Sequence, residues 1–81
     1  MRIVVTQKDI NEGEYRSCHH CPIALAIQRR TKARSVLVGP AVISLNGTDT
    51  IIRTPKKALD FILDFDTFRP VSPMHFELEL P

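Results

Sequence analysis

The stretch "SVLVGPAVISLNGTDTIIR", residues 35–53, holds three β-branched runs separated by two turn signals. SVLV (35–38), AVISL (41–45) and DTIIR (49–53) read as strands, because branched side chains fit a pleated, half-buried surface. Gly39-Pro40 makes the first turn. Asn46-Gly47 makes the second, since both central positions of a type I′ hairpin turn want positive φ. The simplest pairing is a β-meander. No helix-length segment lies between these runs, so a parallel β-α-β continuation is set aside.

Upstream, RIVV (2–5) reads as a first strand, and TQKDINEG (6–13) as a short helical turn capped by Thr6 and ended by Gly13. From Pro22 the apolar residues Ile23, Ala26 and Ile27 recur at helical spacing, and Arg30 continues the stripe. Proline suits the first helical position, where its missing N–H would be unpaired anyway. This helix is predicted from about Pro22 to about Ala33, its C-terminal cations matching the helix dipole. Downstream, Thr54 is read as a cap and Pro55 as the first position of a second long helix. Ala58, Phe61, Ile62 and Phe65 form its apolar stripe, with Lys57, Asp60 and Asp64 on the solvated side. HFELEL (75–80) alternates, with Phe76, Leu78 and Leu80 inward and His75, Glu77 and Glu79 outward. The predicted fold is α+β, a single domain over 1–81 in the order β-α-β-β-β-α-β, with two helices packed on one antiparallel or mixed sheet.

Of 81 residues, 43% are apolar, which describes a globular chain near the lower size limit for folding on one core. Domains this small are often helped by dimerisation, so a homodimer through an edge strand is an expectation. The longest apolar run, Ile23–Ile27, is far short of the ~20 residues that span a bilayer. Met1 leads directly into a strand with no signal-peptide pattern. A cytoplasmic protein with reduced cysteines and no membrane association is expected. Residues 1–40 carry seven Lys and Arg against three Asp and Glu, whereas residues 41–81 carry four against six. That asymmetry permits a basic face toward an anionic partner.

The motifs CPIALAI, TPKKALDFILDFD and VSPMHFELEL, after a VTQKDINEG opening, resemble a group of small phage, prophage and bacterial proteins. The matching positions are Asp9, Ile10, Gly13, Cys21, Pro22, Pro55, Ala58, Phe61, Asp66, Pro73 and Phe76. The resemblance covers most of the length and implies a phage-type accessory protein of unknown activity, acting in the host cytoplasm. It transfers no catalytic residue.

The most chemically loaded segment is SCHHCP (17–22). A metal site would draw on Cys18, Cys21, His20 and His75, but zinc usually takes two separated ligand pairs and the second pair is missing. A thiol–disulfide pair is the redox alternative, with Cys21 at a helix N-terminus that would favour its thiolate. Helix capping explains the Cys-Pro placement alone, with Cys18 packing as a small apolar side chain. The cations Arg29, Arg30, Lys32 and Arg34 end the first long helix, and Tyr15 is available to stack a base. Arg53, Lys56 and Lys57 surround the start of the second, a candidate anion site for phosphate or a nucleotide. There is no phosphate-binding glycine loop, no nucleophile elbow and no paired acid–base carboxylates. The expectation is a non-enzymatic protein without a cofactor that binds and modulates a host protein. Nucleic-acid or nucleotide binding is the alternative, and a metal or thiol site a further one.

Overall fold

The computed structural model describes residues 1–80. Strand β1 (Arg2–Val5) buries Ile3 and Val5 and turns Arg2 and Val4 outward, as its alternation requires. Helix α1 (Gln7–Glu12) starts with a capping box: Asp9 N–H donates to Thr6 Oγ1 at 3.2 Å, and Thr6 N–H to Asp9 Oδ2 at 2.9 Å. Gly13 ends it and lies so close to Pro22 that a Cβ there would stand 2.6 Å from the proline ring. Glycine is therefore what lets α1 abut the next helix.

That helix, α2 (Pro22–Thr31), begins as predicted with Cys21 as cap and Pro22 first, and buries Ile23, Ala24, Ala26 and Ile27. It stops two residues before the predicted end, where Lys32 turns left-handed at φ 62° and donates its N–H to Gln28 O. It packs against α1, β1 and the first strand of the meander, so it is the element shared by both sheets.

The meander comprises β2 (Val36–Val38), β3 (Val42–Leu45) and β4 (Thr50–Arg53), paired antiparallel in that order. Asn46 and Gly47 do adopt positive φ, 54° and 75°. The ladder nevertheless closes at Leu45–Thr50, giving a four-residue loop instead of a two-residue turn. Asn46 also bonds outside its own hairpin: its side chain accepts from Arg34 N–H at 2.7 Å and its N–H donates to Ser35 O at 2.9 Å, while within the loop its carbonyl accepts from Asp49 N–H at 3.4 Å.

Helix α3 (Lys56–Asp66) buries Ala58, Phe61 and Phe65, the stripe read from the sequence. Its cap is Pro55, with no side-chain hydrogen bond, and not Thr54. Thr54 still belongs to the ladder through its N–H to Ala41 O, and its hydroxyl donates to Gly39 O at 2.8 Å. Finally β5 (Met74–Glu77) pairs antiparallel with β1, Ile3 opposite Phe76. Leu78 is fully buried, but Leu80, predicted inward, is 40% exposed. It lies beyond the last hydrogen bonds of this ladder, those between Met1 and Leu78, where pairing no longer sets its face.

The α+β class holds, with three helices and two antiparallel sheets. The single sheet expected from the sequence is divided: β1 and β5 form one sheet, and β2, β3 and β4 the other. Between β4 and β5 no hydrogen bonds run among the described residues.

Candidate functional site

The cysteine–histidine segment works first as an edge cover. Leu37 lies opposite Ser44, and by the alternation of an antiparallel ladder Val36 and Val38 turn their backbone groups outward. Val38 N–H donates to Cys18 O at 2.9 Å, and His19 Nδ1 lies 3.0 Å from Val36 O. Ser17 Oγ accepts from His20 N–H, and His20 O from Glu14 N–H, which holds the loop in shape. An irregular segment thus occupies the place of a strand neighbour along β2.

Cys21 is buried, and its Sγ accepts from Ala24 N–H at 3.4 Å. Burial pushes its thiol up from the ordinary value, against the opposing pull of the Ala24 and Ile23 N–H groups. Desolvation therefore outweighs the helix N-terminus, opposite to the activation a redox cysteine needs. Cys18 is exposed, not packed in the core as expected, and faces a cleft of about 330 Å³ with Leu59, Ile62 and Leu63. His75 stands outward on β5, in the other sheet from the cysteine loop. Among the described residues no three His, Cys, Asp or Glu side chains converge to hold a metal ion.

The seven candidate cations do not form one cluster: Arg53 and Lys56 line one cleft, Arg29 and Arg30 a second, Arg30 and Lys32 a third, and two of the seven are engaged in ion pairs. Arg29 grips Asp9 through both carboxylate oxygens, at 2.6 and 2.8 Å, and its Nη2 also donates to Val4 O at 2.8 Å. Asp9 is only 4% exposed. Burial alone would raise its pKa, but the bonds from Arg29 and Thr6 prevail and hold it below the usual carboxylate value. Lys56 pairs with Asp60 one turn along α3, at 2.8 Å, and that contact raises its pKa. Arg30 shares a shallow cleft with Arg2 and Arg29 beside Val4. Lys32 and Arg34 are exposed around the end of α2, while Arg53 and Lys57 are exposed on β4 and α3. Tyr15 stacks on Phe65, ring centroids 4.5 Å apart, so one face of its ring is already occupied.

Two features were not placed on particular residues from the sequence, one of them on the exposed sheet face that is expected, with the basic helix end, as a working surface. On the outer face of the meander Leu37, Ser44 and Ile51 lie directly opposite one another across three strands, and Val42 opposite Arg53. Leu37, Val42 and Ile51 remain 38%, 41% and 54% exposed, an apolar row interrupted by Ser44 on the outer sheet face. The consecutive isoleucines Ile51 and Ile52 are its signal, because adjacent strand residues face opposite ways and only one can enter the core. The second feature is a cleft of about 500 Å³ lined by β4 and the start of α3 on one side and by Glu77, Glu79 and Leu80 on the other. No protein-family model, curated protein or solved structure matches the chain.

Proposed function

We propose that the chain is a small non-enzymatic accessory protein, of the phage type its motifs resemble, that acts by binding and modulating a host protein. The observation that carries this reading is the apolar row Leu37, Val42 and Ile51 on the open face of the meander. Each side chain there gains by leaving water, at roughly 25 cal/mol per Å² of apolar surface. Contiguous exposed apolar surface marks interaction sites on small soluble domains. Binding through a basic surface to nucleic acid has less support, since Arg29 is committed to Asp9 and Lys56 to Asp60.

The test is a pull-down from host lysate with the wild-type chain and a Leu37→Asp/Val42→Asp pair. Both positions are exposed, so the variant should melt like the wild type. The expected result is a discrete partner retained by the wild type and lost by the variant. Absence of any retained partner, or equal retention by both proteins, would reject the reading.

A further inference from the structure

The cleft between the two sheets is bounded by two strand edges whose outward backbone groups have no partner among the described residues. Thr54 N–H donates to Ala41 O in the β3–β4 ladder, so residues Thr50 and Ile52 also face β3. Ile51 and Arg53 therefore turn their N–H and C=O groups toward the cleft. On the other wall Leu78 exchanges both hydrogen bonds with Met1, which puts Phe76 and Met74 toward β1. Glu77 and Glu79 consequently turn their backbone groups away from β1, and both residues line the same cleft as Ile51 and Arg53.

We infer that this cleft accepts one extended segment of a partner protein, which adds as a strand between β4 and β5. This deepens the binding reading above and rests on it. The bound state would have the strand order β1-β5-segment-β4-β3-β2, the continuous sheet that the sequence pattern suggests and the free chain lacks.

The two walls decide what kind of segment fits. A strand already paired within a sheet has one free edge and cannot enter between two fixed neighbours. A second copy of this chain offering its own β4 is thereby excluded, and the occupant must be a stretch with both edges unpaired, such as a tail or a flexible loop. Strand β4 is four residues long, and at about 3.3 Å per residue it sets a contact of about 13 Å. Charge then sets the composition. Arg53 stands on one wall and Glu79 on the other, and neither makes an ion pair among the described residues. Outward side chains of the segment would include an acidic residue beside Arg53 and a basic one beside Glu79, with a β-branched residue next to Ile51. Its inward side chains would be apolar, over Ile52. Main-chain hydrogen bonds supply affinity in such pairings, and alternate side chains supply specificity.

The test uses the full chain and a displayed library of random linear peptides, followed by synthesis of an enriched peptide. Peptides alternating in the stated pattern are expected to enrich. Binding should slow exchange of the Ile51, Arg53, Glu77 and Glu79 amides together, and N-methylation of alternate peptide amides should abolish it. Ile51→Pro should also abolish binding, because proline is tolerated where the strand N–H faces outward. Failure to enrich alternating peptides, or binding that survives N-methylation, overturns strand addition. A doubled mass for the chain alone, with the same four amides protected, overturns it in favour of self-association. A lysate partner that is lost on Leu37→Asp/Val42→Asp but competes with no peptide would leave the binding reading standing and remove this one.

Discussion

At β2 the outward Val36 carbonyl and Val38 N–H meet His19 and the Cys18 carbonyl. At β4, the far edge of the same sheet, the outward groups of Ile51 and Arg53 face a cleft and have no hydrogen-bond partner among the described residues. An uncovered edge invites pairing with another chain, and small proteins commonly blunt it with a loop, a charge or a proline. Here one edge is covered by the most unusual sequence in the chain, and the other is left open between walls of opposite charge. On the binding reading proposed above, the covered edge serves stability and the open edge recognition. Changes on the covered side should therefore cost folding free energy, and changes on the open side should cost binding.

The largest effect is expected at Asp9. Asp9→Ala removes the capping box and leaves Arg29 without its partner, a loss of about 2–4 kcal/mol in denaturant unfolding. A loss below about 1 kcal/mol would mean that α1 and α2 are not held together through this pair. The same carboxylate makes stability depend on pH. Its pKa is depressed in the fold, so its contribution is complete above the unfolded value near 3.8 and fades as pH falls through the lower folded value. Asp9→Asn should flatten the acid limb of the stability curve relative to the wild type.

A smaller effect is expected at the edge cover. His19→Ala removes the ring contact to Val36 O and should cost about 1 kcal/mol, with faster exchange of the Val38 amide. Unchanged exchange at Val38 would separate the loop from the sheet. The thiols give a qualitative contrast: Cys18 should react with a disulfide reagent in the native protein, and Cys21 only on unfolding. Equal reactivity would contradict the buried cap. The smallest change in stability, within about 0.5 kcal/mol, is expected for Ile51→Lys on the exposed face. Its sharp effect should be on partner or peptide binding, and a large loss of stability there would place Ile51 in the core.

Local signals carried far. The Cys21-Pro22 start of α2, the Thr6 cap of α1 and the apolar stripe of α3 depend on residues within one or two turns, and periodicity with capping chemistry suffices to read them. The signals weakened where a distant group competed for the same atoms. Thr54 gives its hydroxyl to Gly39, fifteen residues away, instead of capping α3. Asn46 bonds to Arg34 and Ser35, and the hairpin loop widens. Arg29 looked like a solvated dipole-matching cation until Asp9, twenty residues earlier, was brought beneath it.

The meander was legible because each of its strands neighbours the next in sequence. The sequence by itself thus determined the elements, the caps of α1 and α2 and the apolar stripes of the two long helices. Only the tertiary structure decided how the strands divide, because pairing β1 with β5 joins residues 69 to 75 positions apart and no local pattern encodes a gap between β4 and β5. The same long-range placement made the candidate ligand Cys18 and its neighbour His19 partners of β2, and brought Arg53 and Glu79 to one cleft. A strand's hydrogen-bonding edge lies in the plane of the sheet, at right angles to the side-chain alternation that sequence reveals, so open edges become visible only once the neighbours are in place.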